Sequence, residues 1–129
     1  MGRFLRRLGV VVLIATALLA GYTYNRLTHL GYDRLTEDVF VIYGQGGNVG
    51  VLRTDAGTLV VDSMLMPLQG QKIRELAEKL TGQPVRVVVN THYHFDHTHG
   101  NPTLAADAEV VTTTRTRDNL LARDAKFWE

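Results

Sequence analysis

The chain has 129 residues and a formal net charge of +1, with 14 Lys and Arg against 13 Asp and Glu. That length fits one small domain and excludes two, and the near-zero balance gives no general reason to expect a nucleic-acid partner. Cysteine is absent, which excludes a disulfide framework and a thiolate metal site and leaves His, Asp and Glu to hold any metal.

The charge is unevenly spread. Arg3, Arg6 and Arg7 stand ahead of an apolar run, whereas from Arg26 onward 11 Lys and Arg face 13 Asp and Glu, a net of −2. Residues 8–25 carry no charge, and 10–20 are the most apolar. A spanning helix wants ~20 apolar residues and a signal-peptide core roughly 7–15, so this run lies between the two. Ala20 suits a cleavage site but Leu18 does not, and no cysteine follows Gly21 to take a lipid. Residues 1–27 therefore read as a signal-anchor or a signal peptide, with the anchor preferred. A buried core helix is the weaker reading, because the polar face of an amphipathic helix is missing. The arginines should stay in the cytoplasm. The rest of the chain is then expected on the periplasmic or exterior side of the inner membrane, tethered there or released by cleavage. Tyr22 and Tyr24 would suit the outer interface.

Residues 28–34 read as a polar linker and 35–129 as the folded part. A first strand is predicted over 39–43, followed by the loop GQGGN. Two strands over 49–53 and 58–61 are joined by a turn at Asp55, Ala56 and Gly57. A helix is predicted over 67–80, since Ile73, Leu76, Ala77 and Leu80 recur at i, i+3, i+4, i+7. Gly82 suits its C-terminal cap and Pro84 prevents continuation. Residues 85–89 are almost wholly apolar, as in a strand covered on both faces. Beyond a histidine-rich loop, 109–112 reads as a strand and 115–127 as a helix. The pattern is α/β (α+β).

The chemistry is concentrated in Asn90-Thr91-His92-Tyr93-His94-Phe95-Asp96-His97-Thr98-His99-Gly100-Asn101, which holds four of the five histidines. His92 and His94 are two apart, so an extended chain points both to one side. Asp96 and His97 follow where Gly100 and Asn101 mark a turn, which can swing them back towards the same space. The apolar strand before the loop is a rigid support for it. Imidazole and carboxylate together suit zinc and other first-row divalent metals, iron and manganese included. His92, His94, Asp96 and His97 are therefore the candidate ligands. His99 reads as a neighbour of the site or a solvent-facing residue, and His29 as an exposed residue of the linker.

The HxHxDH pattern after a Val-rich strand resembles the signature of the metallo-β-lactamase superfamily. The resemblance runs from about residue 35 to 113: a glycine-containing loop, a hairpin, a strand ending in Asp62-Ser63, a helix and VVVNTHYHFDH. It implies the N-terminal half of an αββα sandwich, preceded here by the membrane-targeting helix. It also implies that His92 and His94 join a later histidine on one metal, while Asp96 and His97 help hold a second with a later aspartate and histidine. No histidine follows His99, so the chain is expected to be a fragment lacking those ligands and inactive alone. Where this family usually has two glycines before the asparagine, the chain has His99-Gly100-Asn101. Asp62 matches a family aspartate and reads foremost as a buried structural carboxylate.

The function implied is hydrolysis of a small-molecule ester, lactam, thioester or phosphoester, with two zinc ions in the full-length site, iron or manganese being the alternatives, and Asp96 orienting the attacking water or taking its proton. An iron-dependent oxidoreductase of the same fold and a non-catalytic, membrane-anchored metal-binding module are the alternatives. Protons compete with metal for imidazoles, so binding should weaken in acid.

Overall fold

The computed structural model describes residues 2–123. Helix α1 (Gly2–Thr28) holds the basic start and the apolar run, and none of its residues is buried. At 1.5 Å per residue it is roughly 40 Å long, and it is apolar enough to be a membrane anchor or a signal sequence.

Six strands form one sheet in sequence order. They are β1 (Gly31–Arg34), β2 (Val39–Gly44), β3 (Gly47–Thr54), β4 (Gly57–Val61), β5 (Val85–Val89) and β6 (Glu109–Val111). The first four pair antiparallel as a meander. Helix α2 (Pro67–Thr81) then carries the chain back, so that β5 runs parallel to β4, and β6 is parallel to β5. The expected α/β architecture is present, with a mixed sheet and an apolar helix ahead of it. The linker reading of 28–34 needs correction: Gly31 to Arg34 form β1, paired in register from Gly31 with Tyr43 to Arg34 with Phe40. Gly-Tyr-Asp-Arg has no apolar alternation because an edge strand is held by main-chain bonds to one neighbour and buries little.

Alternation with period two sorts the strand residues onto two faces. Phe40 and Ile42 of β2, Val49 and Val51 of β3, Val60 of β4 and Val85 and Val88 of β5 are buried together with Ile73 and Ala77 of α2. Leu76 and Leu80, expected on the same face of α2, pack partly buried against this core. The helix starts at Pro67, whose missing N–H costs nothing in a first turn. It ends at Thr81 and is capped by Gly82, whose N–H bonds to the Glu78 carbonyl at 2.8 Å. The opposite sheet face carries Val39, Val41, Leu52, Leu59, Val61, Val87 and Val89, each only half-buried.

The segment between β5 and β6 is expected to hold the histidine loop and then a helix. It contains two helical turns, α3 (Phe95–Thr98) and α4 (Asn101–Leu104), the second packed on α2. The last helix, α5 (Thr114–Arg123), starts one residue before the expected 115. The remainder of the range to 127 lies outside the described residues.

Candidate metal centre

Because β4 and β5 are parallel neighbours, their C-terminal ends lie side by side, the usual place for a site in a parallel sheet. β4 delivers Asp62 there, and β5 delivers Asn90, Thr91 and the histidines. The Asp62 amide bonds to the Val89 carbonyl at 2.8 Å, joining the two ends directly. Asp62 and Met64 both have left-handed backbone conformations, with φ of 67° and 62°. Such a conformation is costly for residues with a side chain and is found where the surroundings hold it in place, often at functional sites.

The Asp62 carboxylate is 5% exposed. It accepts from the Thr91 amide at 2.9 Å, the Thr91 hydroxyl at 2.8 Å and His97 Nδ1 at 2.8 Å. A carboxylate only accepts, so His97 donates from Nδ1, which in the neutral imidazole leaves the lone pair on Nε2. The constraint extends through Thr91 to His92. The Thr91 hydroxyl spends its proton on Asp62, so at 3.0 Å it accepts from His92 Nδ1. In its neutral form His92 then also keeps an unprotonated Nε2. One buried aspartate thus orders the tautomers of two imidazoles, the role that outer carboxylates play around metal-binding histidines.

The backbone of the histidine loop is held as firmly. The His97 carbonyl accepts from the Ser63 amide at 3.0 Å, the Ser63 hydroxyl at 3.1 Å and Asn90 Nδ2 at 2.9 Å. Asn90 and Asn101, both buried, bond through their amides at 2.6 and 3.3 Å and close the loop at its two ends. The Thr98 hydroxyl bonds to the His94 carbonyl at 3.1 Å, and the His97 amide reaches the same carbonyl at 2.9 Å. The resulting helical turn is what folds Asp96 and His97 back towards His92.

All four candidate ligands come to one end of the sheet. His92 Nε2 lies 3.1 Å from His94 Nδ1. The rings of His92 and His97 have centroids 4.0 Å apart. His97 Nε2 lies 3.5 Å from Asp96 Oδ2. The donors are therefore gathered as two pairs. Among the described residues, no group of three or more His, Asp or Glu side chains is placed to hold a metal ion together. His99 is half-buried; its amide closes the turn on the Phe95 carbonyl and its ring stands 6.0 Å from that of Phe95. His29 is exposed, in a recess with Arg26, Tyr43 and Gln45.

Two neighbours shape access. Arg123 lies over the Tyr93 ring at 5.0 Å, and with His94 and Phe95 they line an open recess of about 200 Å³. On the other side the β2–β3 turn approaches Asp96: a Cβ on Gly47 would stand 4.0 Å from the Asp96 carbonyl oxygen. The sequence reading missed the parts played by Thr91, Asn90, Asn101 and Ser63. The only signal available was the polar residues bracketing the histidine loop and following Asp62.

A family model described as the Metallo-beta-lactamase superfamily matches residues 42–125. Among solved structures, a metallo-β-lactamase from Erythrobacter litoralis is similar at 24% identity and a TM-score of 0.64, over 75% of this chain and 46% of that one. The subclass B3 enzyme of Bradyrhizobium japonicum is similar at 24% identity and a TM-score of 0.60, over 74% and 38%. The FIM-1 metallo-β-lactamase of Pseudomonas aeruginosa, in its mono-zinc form, is similar at 15% identity and a TM-score of 0.67, over 78% and 49%. At these identities the likeness is one of fold, and the matched part is less than half of each of the three chains.

Proposed function

The chain belongs to the metallo-β-lactamase superfamily, and on that premise we propose that it carries part of the active site of a zinc-dependent hydrolase of small molecules, with His92, His94, Asp96 and His97 as metal ligands. The observation that carries this reading is the spacing of the donors. Two ligand atoms about 2.0–2.1 Å from a tetrahedral zinc stand roughly 3.3 Å apart. His92 Nε2 and His94 Nδ1 are 3.1 Å apart, and His97 Nε2 and Asp96 Oδ2 are 3.5 Å apart. Each pair has the spacing of two neighbouring corners of such a site. The pairing also fits a reading in which His92 and His94 serve one ion while Asp96 and His97 serve a second.

Zinc bound there would supply Lewis acidity, enough to bring the pKa of a water molecule to about 7. The chain's own residues do the rest. The imidazoles are neutral ligands and leave the ion's charge uncancelled. Asp62 and Thr91 hold His92 and His97 in the tautomer that offers Nε2. Asp96 adds a negative charge and takes the proton of the attacking water at its carboxylate. Arg123 lends positive charge beside His94, where an anionic part of a substrate would rest. The substrate is an ester, lactam, thioester or phosphoester, with a lactam first because the similar structures are metallo-β-lactamases. Helix α1 would tether the site to the inner membrane on its outer side.

The Asp96→Asn variant tests the proposal. An amide oxygen still coordinates but accepts no proton, so zinc content should largely persist while kcat falls by 10² or more, the range typical of a lost general base. Assayed in the full-length protein against a chromogenic lactam and ester panel, a wild-type rate in Asp96→Asn would overturn the role given to Asp96.

A further inference from the structure

Gln69 is completely buried although it is a polar residue in the first turn of α2. Both ends of its carboxamide are used. Nε2 donates to the Gln45 carbonyl at 2.6 Å, and Oε1 accepts from the Leu65 amide at 3.1 Å. Gln45 lies in the turn that joins β2 to β3, and Leu65 lies between Asp62 and α2. One side chain therefore ties the turn and the segment after β4 to the helix.

Packing closes the same junction. A Cβ on Gly46, whose φ is 111°, would overlap the Leu65 side chain, and one on Gly44 would press on Leu30 and Met64. The tied turn continues into Gly47, beside Asp96. The segment it is tied to is bonded in turn to the histidine loop, through the Ser63 amide to the His97 carbonyl at 3.0 Å and through the Gly100 amide to the Met64 carbonyl at 3.3 Å. Breaking a buried carboxamide's bonds leaves main-chain groups unsatisfied, so the clamp resists opening.

We propose that Gln69 is a positioning residue, whose buried carboxamide fixes the β2–β3 turn as a rigid wall beside Asp96. That side of the substrate cleft is then shaped by α2 and does not close as a mobile flap. The functional consequence rests on the hydrolase reading above; the clamp itself does not.

Two variants of the full-length protein test it, Gln69→Met and Gln69→Glu, by amide hydrogen exchange with zinc supplied. Methionine fills the volume without either bond. Exchange over 44–48 and 64–66 should rise by about tenfold or more, as for a locally released segment, with 58–61 and 85–89 unchanged. Ionised glutamate still accepts from the Leu65 amide but has no proton to give the Gln45 carbonyl, so only 44–48 should be released at a pH where it is ionised. In both variants zinc content should match wild type, and KM for a hydrolysed lactam or ester should rise several-fold with kcat changed less. Continued protection of 44–48 in Gln69→Met would overturn the proposal, as would a uniform rise across all segments or release of both segments in Gln69→Glu. If no substrate is hydrolysed at all, the hydrolase reading fails while the exchange pattern still decides the clamp.

Discussion

Asp62 has one carboxylate and three donors directed at it, and two of the three chains of hydrogen bonds end on histidines. Replacing it with asparagine keeps the size and tolerates the left-handed backbone, but turns one acceptor oxygen into an NH2 facing donors. The expected cost is about 1–3 kcal/mol of folding stability, the range for leaving buried donors unpaired, read by denaturant unfolding. Zinc affinity should fall by roughly ten- to a hundredfold, as when outer partners of metal-binding histidines are removed. An Asp62→Asn protein with unchanged stability and zinc affinity would contradict the ordering of tautomers. The histidine cluster was legible in the sequence because its residues stand close together, at a spacing that metal chemistry favours. The bond from His97 to Asp62 was not, since the partners are 35 residues apart and only the parallel pairing of β4 with β5 brings them together. The reading of Asp62 as a buried carboxylate agrees with its 5% exposure.

At the scale of elements, strands β2 to β5 and helix α2 followed from periodicity, because each buries a defined face. Strand β1 and the helical turn α3 did not, and α4 was legible only as an unbounded helix after the histidine motif. β1 is an edge held by main-chain bonds, and the two turns are four residues each, shaped by the side chains of Asn90, Asn101, Ser63 and Thr98. What docks this loop on the body is a close approach of main chains. A Cβ on Gly100 would run into the Ser63 carbonyl, and one on Gly70 of α2 would run into the Gly100 carbonyl. Neither backbone can yield without moving the histidine loop. Gly100→Ala and Gly70→Ala should therefore each cost about 1–3 kcal/mol or more through overpacking, whereas Gly9→Ala in α1, with open space around it, should leave the stability of the body unchanged. Thermal unfolding of the three variants checks the order, and Gly100→Ala as stable as Gly9→Ala would show that the loop is not docked this way.

For the whole molecule, the alternation of apolar strands with one amphipathic helix was enough to read an α/β fold, and the sheet with α2 on one face bears this out. The other face carries Val39, Val41, Leu52, Leu59, Val61, Val87 and Val89, all apolar and half-buried. No periodicity in the sequence says what covers it. Helix α1 is a separate unit in character: basic at its start, uncharged along 8–25 and unburied throughout. On the positive-inside rule, three arginines ahead of an apolar helix would keep that end in the cytoplasm. The chain should sediment with membranes and resist an alkaline wash, with the histidine loop open to protease added from the periplasmic side. Recovery of the native protein from the soluble cytoplasmic fraction would contradict that arrangement.

Metal binding by His92, His94, Asp96 and His97 is measured directly by zinc content per protein. Full-length protein and its variants would be equilibrated with zinc, freed of excess and analysed for the element. His92→Ala, His94→Ala and His97→Ala should each lose zinc, because each removes a donor from one of the two pairs. His99→Ala should lose less than any of them, since its ring packs on Phe95 and stands outside both pairs. If His99→Ala empties the protein of zinc while His94→Ala leaves it full, the ligands have been assigned to the wrong side chains.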